Sequence, residues 1–195
     1  MTDPLFEADD ASTPLTPDER MDLIPAYITT RGELNAAEQA NIAQAHLWAL
    51  ARPRDVLDER ALTGLHKRML GEVWRWAGRF RTTERNIGVD AITIPVALRA
   101  LLDDVRYWID HDSFSTDEIA ARFHHRLVLI HPFPNGNGRH ARLACDLLLT
   151  RLGQAPFTWG RVHLVEPSQT RTAYIAALRA ADRHNLEPLL AFVRT

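Results

Sequence analysis

The sequence has little cysteine, no long apolar run and almost no net charge, and each of these absences excludes a class of protein. Cys145 is the one cysteine among 195 residues, so neither an internal disulfide nor a cysteine-based zinc site can form. No apolar run approaches the length that spans a membrane, and the first residues do not resemble a signal peptide. We therefore expect a protein of a reducing, cytoplasmic compartment without a membrane contact.

The length predicts a single domain, and the small net charge predicts that any charged binding site is local. A formal net charge of −2 predicts no general polyanion-binding surface, so direct nucleic-acid binding is not expected. We expect residues 1–20, rich in Asp, Glu, Pro and Thr, to form a poorly ordered N-terminal arm. Residues 21–51 are expected to form an N-terminal segment with a helix, and 52–195 a core domain. The sequence does not indicate an oligomeric state.

The spacing of apolar residues favours an all-α fold. Apolar residues recur every three to four positions in Leu62–Trp76, Val96–Asp110 and Ile119–Ile130. A capping box at Ser115–Glu118 is predicted to open the last of these helices. Arg79–Pro95 differs, because its β-branched residues flank a glycine turn, which fits two short strands or an ordinary connecting loop.

The most informative stretch, at 131–142, reads His-Pro-Phe-Pro-Asn-Gly-Asn-Gly-Arg-His-Ala-Arg. A helical pattern runs into it and is predicted to stop at His131, since the residue before a proline is pushed out of the α region. Gly136 and Gly138 then allow a turn whose backbone N–H groups point inward, and such a nest attracts anions.

A second helix is predicted to begin near Arg139, and its dipole adds positive potential at the same place. Arg139 and Arg142 are three residues apart, so they share one helix face. Guanidinium groups match phosphate oxygens well. One imidazole, one amide nest and two arginines therefore predict a polyphosphate site.

The stretch resembles the signature of the Fic (Fic/Doc) family, His-Pro-Phe-x-acidic-Gly-Asn-Gly-Arg-x-x-Arg, and departs from it only at Asn135. The resemblance implies a Fic-type helical bundle with a small β-hairpin flap over the active site. It implies a protein adenylyltransferase that moves AMP from ATP to a Ser, Thr or Tyr hydroxyl of a target protein. Short bacterial Fic proteins, among them the group called mobile mystery protein B, set the expected context.

The same resemblance implies a role for each signature residue. His131 would be the general base, and Phe133 would anchor the loop in the core. The nucleotide phosphates would be held by Gly136, Asn137, Gly138, Arg139 and Arg142. Mg²⁺, the expected cofactor, normally meets an acidic side chain where this chain has Asn135, and a neutral amide is a weaker ligand.

An upstream segment resembles the inhibitory motif of self-restrained Fic proteins, Ser/Thr-x-x-x-Glu-Gly/Asn. Here Thr29 and Glu33 match, but Leu34 stands where the family has Gly or Asn. The resemblance implies that Glu33 pairs with Arg142 and so holds ATP in an unproductive pose. The alternative is that Glu33 is an ordinary first-turn residue that favours the helix dipole.

The hairpin between the core helices would hold the target in Fic proteins. The resemblance places Ile92, Thr93 and Ile94 at the edge that binds a target segment by strand addition. The alternative is a connecting loop without this role.

Two functional alternatives stay open beside adenylyl transfer. The same scaffold could use another nucleotide or phosphate-containing donor, or Asn135 could leave a nucleotide-binding regulator with little turnover. A histidine metal site at His124, His125 and His140 is not favoured, because no two of these have the four-residue spacing of a helical zinc pair. A phosphodiesterase is disfavoured because no two-metal carboxylate set is visible.

Overall fold

The structure is a computed structural model that describes residues 15–51, 55–160 and 167–195. Within these residues the α-helices are α1 Pro17–Met21, α2 Arg31–Leu50, α3 Glu59–Leu70, α4 Ile94–Asp110, α5 Thr116–Ile130, α6 Asn137–Arg151, α7 Pro167–Asp182 and α8 Glu187–Val193. A 3-10 helix at Ala91–Thr93 leads directly into α4. The all-α prediction is confirmed.

Helix α6 lies at the centre, because α2, α3 and α5 all pack against it. Helix α5 also contacts α4 and α8, and α7 pairs with α8. Both α5 and α6 bury apolar residues over more than one face, which stabilises the bundle through the hydrophobic effect. None of the helices in the described ranges is long and apolar enough to cross a membrane.

The turn between α5 and α6 is where the sequence placed it. At the start of α5, Oγ of Ser115 accepts the Glu118 N–H (3.3 Å), which confirms the Ser115 half of the predicted capping box. Helix α5 ends at Ile130, and His131 takes a left-handed conformation with φ 53° and ψ 58°. Helix α6 begins at Asn137, two residues before the predicted start, because Gly136 (φ 79°) already completes the reversal.

Helix α3 is shorter than predicted. It ends at Leu70, whereas the apolar spacing extended the prediction to Trp76. A Cβ at Gly71 would lie 2.4 Å from the Lys67 carbonyl oxygen, so the glycine allows the chain to turn there. Trp74 and Trp76 are buried in the turns that follow, which explains why their spacing resembled a helix.

The predicted β-hairpin is not confirmed. The described segment between Arg79 and α4 contains no strand, and its last residues form the 3-10 helix. Asp90 determines this, because its Oδ1 accepts the Ile92 N–H (3.0 Å) and its carbonyl accepts the Thr93 hydroxyl (2.7 Å). Such local side-chain bonds compete with a strand ladder, and Pro95 fits the first turn of α4.

The N-terminal arm is more ordered than predicted where the structure describes it. Thr16 and Glu19 form a capping box that starts α1, with Pro17 at the first helical positions. The indole Nε1 of Trp76 donates to the Glu19 carbonyl (3.2 Å), which attaches α1 to the core. The prediction for residues 1–14 lies outside the described residues.

Candidate active site

His131 is a buried, neutral imidazole at the end of α5. Its exposed fraction is 5%. Burial, and next the nearby Arg81 guanidinium, lower the pKa of His131 to about 4. At neutral pH the ring is therefore unprotonated and can accept a proton.

Arg81 fixes the backbone around His131. Its Nε donates to the His131 carbonyl (2.7 Å), and its terminal nitrogens donate to the carbonyls of Val89 and Thr83. Its own N–H donates to the Pro132 carbonyl (2.9 Å). One buried guanidinium thus links the segment after α3 to the residue expected to be the base.

Phe133 anchors the signature loop in the core, because its side chain is fully buried. Asn137 closes the loop from inside, since its Oδ1 accepts the Phe133 N–H (2.9 Å) and its Nδ2 donates to the Phe133 carbonyl (2.8 Å). The Asn137 amide thus holds the loop, and its backbone N–H is the group available to an anion; its contact with a nucleotide phosphate stays a prediction.

The N-terminus of α6 is the predicted anion nest. The first intrahelical bond runs from the His140 N–H to the Gly136 carbonyl (2.9 Å), so the N–H groups of Asn137, Gly138 and Arg139 precede it. The Gly136 N–H donates to Oδ1 of Asn135 (2.5 Å). These amides and the dipole of α6 make this end of the helix attractive to anions.

The second signature arginine lies beside Tyr174. The Arg142 guanidinium carbon is 5.5 Å from the centre of the Tyr174 ring. The Tyr174 hydroxyl lies 2.9 Å from Nε2 of the buried His124. A Cβ at Gly138 would lie 3.8 Å from the same hydroxyl. Tyr174 is therefore half-buried against the core and also borders the nest. Burial raises the pKa of Tyr174 to about 12, so the hydroxyl stays protonated.

The first signature arginine is paired with a carboxylate that the sequence did not single out. Arg139 Nη1 lies 2.6 Å from Oε2 of Glu38, on α2. The other oxygen, Oε1, accepts the indole N–H of the buried Trp74 (2.7 Å). Glu38 is only 9% exposed, whereas the Arg139 side chain is 33% exposed, so the pair joins a buried carboxylate to a partly exposed guanidinium.

The structure corrects the prediction that Glu33 pairs with Arg142. Glu33 is exposed, and its Oε2 accepts the N–H groups of Thr29 (2.8 Å) and Thr30 (2.9 Å). These bonds lower the pKa of Glu33 below its ordinary value. The carboxylate is a cap of α2, as the alternative reading of the motif allowed.

Ile92, Thr93 and Ile94 do not form one target-binding edge. Ile92 is 84% exposed, whereas Ile94 is fully buried in the first turn of α4. The residues just before them do cover the site: the Val89 N–H donates to the Ile130 carbonyl (3.4 Å), and a Cβ at Gly88 would be 2.8 Å from Cβ of His131. The prediction of strand addition at 92–94 is wrong for this conformation.

The described ranges contain no group of three or more His, Cys, Asp or Glu side chains placed to hold a metal ion. His124, His125 and His140 lie in separate environments. His125 Nε2 is 2.8 Å from Asp182 Oδ1, and His140 Nε2 is 2.9 Å from the Leu62 carbonyl oxygen.

Sequence reasoning missed Glu38 and Arg81, and only Glu38 carried a signal. Glu38 and Asn41 interrupt the inward stripe of α2, which otherwise buries apolar Leu34, Ala45 and Ala49. A polar residue on a buried stripe needs a partner, so Glu38 pointed to a buried cation. Arg81 follows a tryptophan-rich stretch, but its carbonyl partners are visible only in the fold.

Comparison with known proteins identifies the same stretch. A model of the Fic/DOC family matches residues 56–149, which include the signature loop and most of α6. The curated protein adenylyltransferase fic-1 of Caenorhabditis elegans is 34% identical over 148 residues. The match covers 74% of this chain but only 28% of that protein, so the chain spans just over a quarter of this relative.

Solved structures share the fold. Fic-1 of C. elegans (aa 134–508) superposes with a TM-score of 0.65 at 28% identity, covering 90% of this chain and 51% of that one. The BepC protein of Bartonella tribocorum, a VirB-translocated effector solved with bound AMPPNP, gives a TM-score of 0.71 at 18% identity. That match covers 92% of this chain and 97% of BepC, and it concerns the fold alone.

Proposed function

Because the chain belongs to the Fic/DOC family, we propose that it is a protein adenylyltransferase that moves AMP from ATP to a hydroxyl group of a target protein. The observation that carries the proposal is a neutral, buried His131 beside an anion nest with two arginines. The curated C. elegans relative is named for the same activity.

In the proposed reaction His131 acts as the general base. A Ser, Thr or Tyr hydroxyl of the target attacks the α-phosphorus of ATP, and the bond to the pyrophosphate oxygen breaks. The imidazole takes the hydroxyl proton as the new ester bond forms. Its pKa near 4 keeps the ring unprotonated at neutral pH, and the bond from Arg81 to the His131 carbonyl fixes the backbone that carries the ring.

The nest and the arginines bind the nucleotide. The N–H groups at the start of α6, at Gly136, Asn137 and Gly138, would hold phosphate oxygens. Arg139 and Arg142 would neutralise the β- and γ-phosphates and the pyrophosphate that leaves. Tyr174 supports Arg142 through its ring.

Magnesium remains a prediction, and the residues present offer it little. Oδ1 of Asn135, the expected ligand, is already bonded to the Gly136 N–H at 2.5 Å, and it carries no charge. Mg²⁺ prefers one or two carboxylates beside substrate phosphates. We therefore propose no protein-bound metal in the reaction. The only role proposed for Mg²⁺ is to neutralise charge on the nucleotide itself.

Glu38 is proposed as a built-in restraint on this activity. Its carboxylate occupies the Arg139 guanidinium that would otherwise bind a phosphate oxygen, and Trp74 holds it there. ATP must displace the pair or bind without Arg139. We thus propose Glu38, and not Glu33, as the inhibitory carboxylate.

The position of a radioactive label tests the reaction. With ATP labelled at the α-phosphate, addition of the purified protein to a target-containing lysate should increase the protein-bound label above that of the lysate alone, and with γ-labelled ATP it should not. Label from the γ-phosphate would replace the proposal with phosphoryl transfer. Label from neither, together with measurable ATP binding, would favour the nucleotide-binding regulator.

A matched pair of variants tests the restraint. Glu38→Gln should raise the initial rate of α-label incorporation, because it removes the charge that holds Arg139. Glu33→Gln lies on the same helix and removes the same charge at an exposed position, so it should leave the rate unchanged. An increase in Glu33→Gln alone would restore the original assignment.

The target is proposed to be a hydroxyl-bearing protein of a reducing, cytoplasmic compartment. Cys145 is fully buried, and its Sγ donates to the Ala120 carbonyl (3.2 Å). Burial raises the pKa of this thiol well above its ordinary value, so it is an inert packing group that needs no disulfide partner.

A further inference from the structure

His66 is a fully buried histidine that lies under the signature loop and has no assigned role. It belongs to α3, and its ring stacks on that of Phe133 with centroids 3.7 Å apart and planes 15° apart. Burial lowers the pKa of His66 well below its ordinary value, so the ring is neutral at neutral pH. A neutral imidazole has one donor nitrogen and one acceptor nitrogen.

The contacts of His66 decide which nitrogen carries the proton. The Gly78 N–H donates to Nδ1 at 2.9 Å, and an amide N–H can only donate, so Nδ1 is the acceptor. The proton is therefore on Nε2. This nitrogen lies 3.0 Å from the carbonyl oxygen of Asn135 and donates to it.

This bond sets the direction of one peptide plane of the nest. In a trans peptide the carbonyl and the following N–H point in opposite directions. When His66 holds the Asn135 carbonyl toward the core, the Gly136 N–H must point away from it. There it meets Oδ1 of Asn135 at 2.5 Å.

The close approach also needs a glycine at 136. Its φ is 79°, and a Cβ there would lie 2.6 Å from Cδ1 of Leu70 and 3.4 Å from Nε2 of His66. The loop backbone therefore rests directly on α3. Gly78, with φ 80°, makes the turn that brings its N–H to the other side of the imidazole.

We propose that His66 is a positioning residue that aims the Gly136 N–H at a phosphate oxygen of the nucleotide, where Oδ1 of Asn135 now lies. The proposal rests on the proposed function for the identity of the ligand. His66 itself does not touch the nucleotide; it acts through the 135–136 peptide. On binding, a phosphate oxygen replaces the Asn135 amide oxygen on that N–H.

The test compares His66→Phe with His140→Phe. His140 is a matched control, since it is fully buried and packs edge-on to the same Phe133 ring at 5.0 Å. Its Nε2 pairs with the Leu62 carbonyl of α3, not with the loop. Both variants keep an aromatic ring in the core, but only His66→Phe releases the 135–136 peptide.

Two readouts are measured: ATP affinity by calorimetry, and hydrogen exchange of the peptide that covers the signature loop. His66→Phe should weaken ATP binding about tenfold and speed exchange in the loop, as expected for the loss of one oriented hydrogen bond. His140→Phe should leave both near wild type. His66→Gln, whose amide can supply a donor and an acceptor, should recover part of the affinity.

The outcomes separate the two proposals. Equal changes in His66→Phe and His140→Phe, or no change in ATP affinity in either, would overturn the positioning role and leave His66 as a core residue. A selective loss in His66→Phe supports it, even if no variant transfers AMP; in that case adenylyl transfer fails and the positioning role stands. No ATP binding by the wild type would overturn both.

Discussion

The two segments that meet at His131 are held in different ways. The signature loop is fastened by groups from outside it: Arg81 bonds the carbonyl of His131, and His66 bonds that of Asn135. The covering segment at 82–93 is mostly exposed. Arg81 also bonds its Thr83 and Val89 carbonyls, but its last turn is held by its own residues, since Glu84 Oε1 accepts the Ala91 N–H (2.9 Å). The half of the site proposed to bind the nucleotide is thus held by buried side chains, while the exposed half proposed to face the target shares Arg81 and adds only a local turn.

The largest effect should come from the loop residue proposed as the general base. His131→Ala should lower AMP transfer by about 10²–10⁴-fold, because it removes the general base. ATP affinity should stay close to wild type, as the nest and arginines remain. Transfer rates are measured by label incorporation and affinity by calorimetry; undiminished transfer would refute the assigned role.

Substitution of Arg81 removes the hydrogen bond that holds the His131 carbonyl. Arg81→Met should lower the free energy of unfolding by about 3 kcal/mol, because it leaves buried carbonyl groups without a donor. Transfer should fall as well, since the His131 carbonyl loses its anchor. Arg79→Met is the control, because Arg79 is exposed two residues earlier and should change stability by less than about 0.5 kcal/mol. Similar denaturant midpoints for the two variants would contradict this account of the loop.

The end of the covering segment and the first residue of α4 provide a matched pair. Ile94→Ala should cost about 2–4 kcal/mol of unfolding free energy, because Ile94 is fully buried. Ile92→Ala should change it by less than about 0.5 kcal/mol, because this side chain is 84% exposed. Chemical denaturation of both variants checks the difference. Equal costs would mean that the segment packs as a strand edge after all.

A smaller effect is expected at the start of α2. Thr30→Ala should lower the free energy of unfolding by about 1 kcal/mol, because Thr30 Oγ1 accepts the Glu33 N–H (3.3 Å) in the capping box. Transfer per folded molecule should not change, since the bonds of the box are local to Thr29, Thr30 and Glu33 and do not include the Arg139–Glu38 pair. A rise in transfer would mean that the cap itself restrains the enzyme.

The smallest effect concerns pH. Because the pKa of His131 is lowered to about 4, the ring is already the unprotonated base throughout pH 6–8. The kcat/KM of transfer should vary by less than about twofold across that range and fall only as the pH drops toward 4. A rate that rises steeply through pH 6.5 would show that the base titrates near its ordinary pKa.

The sequence was sufficient for much of the fold and for the nest, because both depend on local rules. Apolar spacing located the core helices, and Pro132 with Gly136 marked the break between α5 and α6. The hairpin prediction was not confirmed, because β-branched residues suggested strands, while Asp90 bonds its neighbours into a 3-10 helix.

The supporting contacts could not be predicted, because they join residues distant in the sequence. Glu38 and Arg139 are separated by 101 positions, and His66 and Asn135 by 69. A five-residue motif match therefore favoured Glu33, whose bonds turned out to be local. Only the fold shows which carboxylate of α2 faces the site.

The most direct measurement is the intact mass of Glu38→Gly after incubation with Mg-ATP, beside wild type, Glu33→Gly and Glu38→Gly/His131→Ala. We predict an AMP-sized mass gain in Glu38→Gly that exceeds the gains of wild type and Glu33→Gly and disappears in the double variant. No gain in Glu38→Gly, with ATP binding intact, would contradict adenylyl transfer by this site.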